Sequence, residues 1–153
     1  MSSHLKSSAL LILSLAIWVP AVASTSRIHS IQQNAALVKK FYDLAFNQHQ
    51  AKEAALAYLS EEYIQHNPHV ATGRKAFIEA FSIATGADTS KTLFIRTISE
   101  GNLVVLHSHK IENPGDRGTA GIDIFRVKNG KITEHWDVNQ CIPETAKNTN
   151  TMF

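Results

Sequence analysis

The dipeptide Asn129-Gly130 constrains this chain more than any other short stretch. It separates two runs, 121–128 and 131–138, in which apolar and polar residues alternate as they do in half-buried β-strands. A two-residue hairpin loop of type I′ needs positive φ at both positions, and Asn-Gly adopts it readily. The stretch therefore predicts a β-hairpin. Counting outward from the loop predicts three opposed pairs, Val127 with Ile132, Phe125 with Glu134, and Asp123 with Trp136.

The predicted register decides which side chains share a face of the hairpin, because successive residues of a strand point to opposite faces. One face carries Asp123, Phe125, Val127, Ile132, Glu134 and Trp136. His135 and Asp137 fall on the other face. There we expect them to serve the outer surface of the sheet or a dimer contact rather than chemistry.

Asp123 is the leading candidate for chemistry on this hairpin. A carboxylate set against an indole on an apolar face is desolvated, which raises its pKa toward the range useful for proton transfer. The alternative is an aspartate at the margin of the sheet that is exposed or hydrogen-bonded to a neighbour. The hairpin alone leaves both interpretations open.

Residues 1–23 have the pattern of a secretory signal peptide. Lys6 provides a positive charge, and residues 9–19 form an apolar run that is too short to span a bilayer. Pro20 then precedes small residues, which predicts cleavage after Ala23. We therefore expect a secreted or periplasmic protein, and an uncleaved N-terminal anchor is the alternative.

Charge and cysteine content exclude several classes of partner and linkage. The chain has 15 Lys and Arg against 13 Asp and Glu, and Lys6 is lost with the predicted signal peptide. This near-neutral balance, without a basic cluster, argues against nucleic acid or an anionic membrane as a partner. Cys141 is the only cysteine, so an intrachain disulfide is impossible.

Helical periodicity in the first half of the chain gives way to strand periodicity in the second half. Apolar residues recur at helical spacing in three segments, 30–47, 51–59 and 73–85. After Gly86 the period becomes two, which predicts strands before the hairpin at 92–99 and 103–111. This order predicts one α+β domain, residues 24–143, with the helices packed on one face of a curved antiparallel sheet of about four strands. Residues 144–153 are polar and expected to be flexible.

His107 and His109 share one face of the second predicted strand, and an imidazole there is a natural partner for Asp123. If this strand pairs with the Asp123 strand without a bulge, opposed residues share a face. A connection centred near Asp116 places His109 opposite Asp123. One centred near Gly115 places His107 there instead. Such a His–Asp pair among apolar groups transfers protons, and the alternative is a hydrogen-bonded pair that only fixes the register.

A metal site is the minority interpretation of the same strand. A His-x-His pair aims both rings the same way, and His66 or Asp123 could supply a third ligand. Any two residues at i and i+2 share this property, so the signal is weak. A metal site therefore stays the minority expectation.

Several sequence blocks resemble one family. They are Tyr63-Ile64-Gln65-His66-Asn67-Pro68 with Gly73, the strand 123–127, Gly130-Lys131-Ile132, and the block 134–140. Together they resemble the SnoaL-like polyketide cyclases, which belong to the nuclear-transport-factor-2-like (NTF2-like) superfamily with ketosteroid isomerase, scytalone dehydratase and limonene epoxide hydrolase. The resemblance covers roughly residues 34–140.

The resemblance implies a cone-shaped NTF2-like or cystatin-like roll, in which three N-terminal helices pack on a curved, mainly antiparallel sheet that encloses a deep apolar pocket. It also implies a homodimer formed through the sheet, and ring closure by aldol condensation without a metal or organic cofactor. In these cyclases an aspartate on an inner strand acts as the acid/base, with a histidine on the adjacent strand close by. Those positions match Asp123 and His109, and a further pocket histidine matches His66.

We therefore expect a cofactor-free acid/base enzyme that acts on a small apolar carbonyl compound in the periplasm, as an aldol-condensing cyclase, an isomerase or a lyase. Asp123 would remove a proton next to the carbonyl, and His109 would polarise or reprotonate the enolate oxygen, with His66 as a third catalytic group. The residues expected to bind the substrate are Tyr63, Asn67, His107, Phe41, Phe125 and Trp136. The competing expectation is a non-catalytic periplasmic protein that carries or senses a small hydrophobic ligand.

Overall fold

The computed structural model describes residues 22–82 and 89–153. Residues 1–21 of the predicted signal peptide, and the end of the predicted third helix after Ser82, lie outside the described residues. Within the described ranges the chain forms three α-helices, one π-helical turn and five β-strands. The helical segments are α1 (Val22–Tyr42), the π-helical turn (Asp43–Asn47), α2 (Ala51–Tyr58) and α3 (Arg74–Phe81). The strands are β1 (Leu59–Gln65), β2 (Lys91–Glu100), β3 (Leu103–Ile111), β4 (Thr119–Lys128) and β5 (Lys131–Cys141).

Helix α1 extends further toward the N-terminus than the apolar periodicity predicted. Ser30 lies inside the helix, where its hydroxyl donates to the carbonyl oxygen of Arg27 at 2.8 Å. The predicted helix start at residue 30 is therefore wrong. In the part of the chain that the structure describes, no helix combines the length and the hydropathy that crossing a bilayer requires.

The strands of the described residues form one sheet in the order β1-β5-β4-β3-β2. Strands β2 to β5 form the predicted antiparallel meander, and β1 runs parallel to β5 at the edge. The sequence did not predict β1, because its seven residues have only two buried positions, Leu59 and Tyr63. An edge strand with such a sparse apolar pattern lacks the alternation that identifies a strand.

The helices pack against one face of the sheet, called here the inner face, and the apolar core lies between the two layers. Helix α1 contributes Val38, Phe41 and Tyr42, whose i, i+3 and i+4 spacing places them on one side of the helix. The inner face contributes Leu59, Tyr63, Val104, Leu106, Phe125, Val127 and Ile132, all of them buried. The predicted α+β class, with helices on one side of a mainly antiparallel sheet, is confirmed.

The opposite side of the sheet, called here the outer face, carries exposed apolar side chains that include Ile64, Leu93, Ile98 and Val138. Residues 142–153 contain no helix or strand, and their end returns to this face. There the ring of Phe153 stacks on His109, with ring centroids 4.5 Å apart. The flexibility of residues 144–153 stays a prediction.

The hairpin between β4 and β5 turns at Asn129-Gly130, as predicted. Both loop residues have positive φ, 50° for Asn129 and 71° for Gly130. Val127 lies opposite Ile132, which is the first of the three predicted pairs. The turn and its nearest pair are therefore confirmed. From the next residue of each strand onward, the observed pairing differs from the predicted pairing.

A β-bulge next to this turn inserts Thr133 into β5. Arg126 consequently lies opposite Glu134, and Arg126 Nε donates to Glu134 Oε2 at 2.6 Å. The Thr133 hydroxyl donates to the Arg126 carbonyl oxygen at 3.3 Å. An extra residue in one strand reverses the alternation of all later residues relative to the partner strand.

The bulge moves four side chains to the face opposite from the predicted one. The observed pairs are Phe125 with His135, Ile124 with Trp136, and Asp123 with Asp137. His135 and Asp137 therefore lie on the inner face, beside Asp123. Glu134 and Trp136 lie on the outer face, so the predicted placement of all four residues is wrong.

Candidate active site

A cavity of about 660 Å³ lies between the helices and the inner face of the sheet. Its apolar wall is aromatic and includes Phe41, Phe46, Phe77, Phe81 and Phe125. Its polar groups include Gln65, Asn67, Lys110, Asp123, His135 and Asp137. A cavity of this size, with an apolar wall and a few convergent polar groups, is typical of a site for a small molecule.

Asp123 on β4 is the most deeply buried acid of the cavity, with 1% of its surface exposed. Its Oδ1 atom is 3.4 Å from the Tyr42 hydroxyl, 3.3 Å from Lys110 Nζ and 3.3 Å from His135 Nε2. Its Oδ2 atom is 3.4 Å from Ser108 Oγ. Asp123 is thus an interior carboxylate among hydrogen-bonding partners, not an aspartate at the margin of the sheet.

The pKa of Asp123 is lowered, although burial alone would raise it. The hydrogen bond from His135 and the positive charge of Lys110 together outweigh desolvation and hold the pKa below the ordinary value of an aspartate. The predicted increase of this pKa is therefore wrong, because it considered desolvation without these two partners. At neutral pH the group is therefore a carboxylate, which can accept a proton.

A chain of hydrogen bonds fixes the orientation of His135. The backbone N–H of Asn67 donates to Gln65 Oε1 at 3.0 Å, as expected for an amide oxygen. The same oxygen is 2.9 Å from His135 Nδ1. Because this oxygen only accepts, Nδ1 carries a hydrogen and Nε2 is directed at Asp123. Nε2 lies 3.3 Å from Asp123 Oδ1, within the distance at which a hydrogen on Nε2 is donated to the carboxylate.

Asp137 is a second carboxylate of the cavity, and amide groups hold it in place. Asn67 Nδ2 lies 2.8 and 3.0 Å from the two carboxylate oxygens. Asn139 Nδ2 lies 2.8 Å from Oδ2. These three contacts hold the carboxylate of Asp137 in place at the wall of the cavity.

Two tyrosine hydroxyls of the cavity are held in their neutral form. Burial, followed by the negative charge of Asp123, raises the pKa of Tyr42 well above the ordinary value. Burial and the charge of Asp137 raise the pKa of Tyr63 in the same way. Both hydroxyls therefore keep their hydrogen over the whole physiological range, and that of Tyr42 is donated to Asp123 Oδ1.

Among the residues that the structure describes, those best placed to hold a metal ion are Asp123, His135 and Asp137, since one ligand atom of each lies within 4.8 Å of the others. Lys110 Nζ, however, already lies 3.3 Å from Asp123 Oδ1, and its charge opposes a second cation at that oxygen. The group therefore fits a hydrogen-bonded network better than a metal site. The predicted metal alternative, His107 with His109, does not belong to this cavity.

The predicted pair of Asp123 with His109 or His107 is not formed. Strands β3 and β4 pair so that Leu106 lies opposite Asp123, one position from His107. A displacement of one residue reverses the faces, and both histidines therefore lie on the outer face. His109 Nε2 is 2.7 Å from the carbonyl oxygen of Arg117, outside the cavity.

His66 and Trp136 also lie on the outer face, so their predicted places in the site are wrong. Their rings stack with centroids 4.5 Å apart and an interplanar angle of 6°. His66 Nε2 is in addition 3.0 Å from Glu134 Oε1. The physical reason is the β-bulge, which pairs Trp136 with Ile124 and so places the Trp136 side chain on the outer face of the sheet.

Five of the predicted site residues do line the cavity, and they are Asp123, Tyr63, Asn67, Phe41 and Phe125. Their catalytic or binding roles stay predictions. The sequence reasoning missed Tyr42, Lys110, His135 and Asp137. The sequence did contain a signal for His135 and Asp137. The opposite charges of Arg126 and Glu134 face each other only if the hairpin contains a bulge, and that bulge places His135 and Asp137 on the inner face.

The lowered pKa of Asp123 predicts a specific loss of stability in acid. The ionised group favours the folded state above the ordinary aspartate pKa of about 3.9, and this contribution disappears as the pH falls through the lower native pKa. In urea titrations between about pH 6 and pH 2, we expect Asp123→Asn to lose less unfolding free energy than the wild type. Asp116→Asn, in an exposed loop, should behave like the wild type. Equal losses in all three proteins would contradict the lowered pKa.

The described helices and sheet define an α+β fold of the NTF2-like class. A candidate ketosteroid isomerase from Kribbella flavida DSM 17836 shares it, with 19% identity over 77% of this chain and 85% of that chain and a TM-score of 0.63. A candidate polyketide cyclase from Acidithiobacillus ferrooxidans has 14% identity, coverage of 70% and 87%, and a TM-score of 0.59. An LEH-like epoxide hydrolase from M. tuberculosis has 16% identity, coverage of 72% and 85%, and a TM-score of 0.59. At these identities the likeness concerns the fold alone.

The chain belongs to the SnoaL-like domain family, whose model matches residues 38–135. The matched range begins in α1 and ends at His135, so it contains Asp123 and most of the cavity. The family resemblance predicted from the sequence is thereby confirmed. No curated protein matches this chain.

Proposed function

We propose that this protein is a cofactor-free acid/base enzyme that removes a proton next to the carbonyl group of a small, mostly apolar compound. The observation that carries the proposal is the carboxyl group of Asp123, buried at a cavity with an aromatic wall and in contact with His135. Removal of such a proton starts an aldol condensation, an isomerisation or a lyase reaction. The cyclase and isomerase names of the structural neighbours agree with this class of chemistry.

In the proposed reaction the Asp123 carboxylate takes the proton, and the electron pair of the C–H bond moves toward the carbonyl oxygen. His135 is proposed to carry a proton on Nε2 beside the same carboxylate oxygen, and Gln65 holds the ring in place. The pair can therefore also return a proton to the substrate. Tyr63 and Asn67 are proposed to bind a further polar group of the substrate, and Phe41 and Phe125 to bind its apolar part.

A non-catalytic binding protein is the second candidate, since the aromatic wall of the cavity suits a small hydrophobic ligand whether or not it reacts.

Export to the periplasm or outside the cell is proposed on the signal-peptide pattern of residues 1–23, and N-terminal sequencing of the exported protein tests it. A homodimer through the outer face is proposed on the exposed apolar side chains there, and light scattering tests it.

Hydrogen–deuterium exchange at carbon separates the enzyme from the carrier. Cyclohexanone, acetophenone and ethyl acetoacetate are incubated with the protein in deuterium oxide, and proton NMR follows the loss of the α-hydrogen signal. Exchange that is faster than in buffer supports the proposed enzyme. Binding of these probes without faster exchange supports the carrier and contradicts the enzyme.

A further inference from the structure

We propose that Lys110 binds the carbonyl oxygen of the substrate and stabilises the negative charge that develops on it. The inference rests on the proposed proton transfer to Asp123 and assigns the electrophile for that step. It also defines the substrate more closely, as a compound whose carbonyl oxygen and adjacent C–H bond reach Lys110 and Asp123 together. Lys110 lies on the inner face of β3, and its side chain is 25% exposed at the cavity.

The Lys110 ammonium is held at a defined point above the carboxylate. Nζ is 3.3 Å from Asp123 Oδ1 and 3.0 Å from Asn139 Oδ1. The amide of Asn139 is itself oriented, because its Nδ2 donates to Asp137 at 2.8 Å. An ammonium has three N–H donors, and two of them are engaged by these contacts, which leaves one for a ligand oxygen.

The sheet leaves room for the Lys110 side chain at Gly121. A Cβ atom at residue 121 would lie 3.0 Å from Lys110 Cε, 2.9 Å from Asn139 Oδ1 and 2.8 Å from Ser108 Oγ. Any larger residue would therefore displace the lysine stem and the amide that receives its ammonium. Gly121 thus leaves the space that the Lys110 side chain occupies above Asp123.

The hydroxyl of Tyr42 lies next to Asp123 Oδ1, the same carboxylate oxygen that the Lys110 ammonium contacts. Its hydroxyl is 3.4 Å from Asp123 Oδ1 and its ring lies 5.7 Å from Lys110 Nζ. A substrate with its C–H bond directed at Asp123 therefore has its carbonyl oxygen within reach of the Lys110 ammonium, and the single O–H of Tyr42 can turn from Asp123 to that oxygen as Asp123 accepts the proton.

Charge balance explains why the ammonium assists the transition state more than the bound ketone. Before the reaction Lys110 faces the carboxylate of Asp123. As the C–H bond breaks, the proton passes to Asp123 and the carbon–carbon double bond of the enolate forms. The negative charge then resides on the substrate oxygen, so the ammonium exchanges a carboxylate partner for an enolate partner. No oxidant, reductant or other reactant is needed.

Phenolates test this assignment without knowledge of the natural substrate, because they resemble an enolate. The Asp123→Asn background represents the state in which residue 123 has accepted the proton. In that background we expect Lys110→Met to weaken binding of the para-nitrophenol anion about 10-fold or more, since a hydrogen bond to a charged group is lost. Binding of para-nitrotoluene, which has the same shape without the oxygen, should stay unchanged and shows that the cavity is intact. Lys128→Met, at an exposed position, is the matched control.

Exchange measurements on Lys110→Met in the wild-type background complete the test. Slower exchange together with weaker phenolate binding supports the assignment. Lys110→Arg keeps the positive charge and should restore part of the exchange rate and part of the phenolate affinity. Slower exchange with unchanged phenolate binding would overturn it, because Lys110 would then act through Asp123 and not on the substrate oxygen. Unchanged exchange and unchanged binding would overturn it as well and leave the proposed function standing. Absence of exchange in the wild type would instead overturn the proposed function.

Discussion

Replacement of Asp123 by Asn is expected to slow α-hydrogen exchange about 10²–10⁴-fold, the range that a general base contributes. Asn has almost the size of Asp and can retain contacts with Tyr42 and Ser108, but it cannot accept the proton from carbon. The loss is expected in the rate at saturating ketone. The affinity of the cavity for the ketone should change little, because the apolar wall is untouched.

Asp116→Asn is the matched control for this prediction, since Asp116 lies in the exposed loop between β3 and β4 and outside the cavity. It is expected to exchange at the wild-type rate. Circular dichroism of both variants shows whether the fold is retained. An Asp123→Asn protein that is folded and exchanges as fast as the wild type would remove Asp123 from the mechanism.

Replacement of Phe125 by Ala is expected to lower the free energy of unfolding by about 3–5 kcal/mol. Phe125 is 1% exposed and lies where α1 meets the sheet. Its ring centroid is 6.1 Å from those of Phe41 and Tyr42, and 4.7 Å from that of His135. The substitution removes the ring that joins these three residues and leaves a void that a close-packed core fills only in part.

Urea denaturation measures this loss, and Leu56→Ala is the control. Leu56 is 50% exposed on α2, so its truncation should cost far less than that of Phe125. If the two variants lose similar stability, Phe125 does not form part of the core in solution. Because Phe125 contacts the ring of His135, we also expect slower exchange in Phe125→Ala where the protein remains folded.

The turn of the central hairpin was predictable from two residues, but these two residues do not determine the faces of the strands that follow. Asn129 and Gly130 supply the positive φ that the loop needs, and they place Val127 opposite Ile132. The inserted Thr133 then reverses every later residue of β5. Local propensity carries no information on such an insertion.

The histidine partner of Asp123 was assigned to the wrong strand for a related reason. The sequence placed His107 or His109 there, whereas β3 and β4 pair with Leu106 opposite Asp123. Strand alternation has a period of two, so an error of one residue in the register exchanges the two faces completely. The connection between β3 and β4 sets this register, and its residues did not determine where the loop is centred.

The family was predictable where the register was not, because sequence blocks that resemble a family do not depend on the pairing of strands. The matched range 38–135 includes both the helical part and the hairpin. An acidic residue in the interior of the sheet also followed from the sequence, since Asp123 lies among apolar residues on its strand. Its partners Tyr42, Lys110 and His135 come from three separate elements and meet only in the folded protein.

The rate of α-deuteration of a ketone bound in the cavity tests most directly whether the buried Asp123–His135 pair moves protons to and from carbon. Protein-to-ketone contacts in NMR, from the Phe125 and Tyr63 rings, first establish that the ketone occupies the cavity. The single-turnover rate of deuterium uptake is then measured with protein in excess. We expect uptake well above the rate in buffer, and its suppression by a competing ligand of the cavity. Uptake at the buffer rate, for every ketone shown to bind there, would contradict this account.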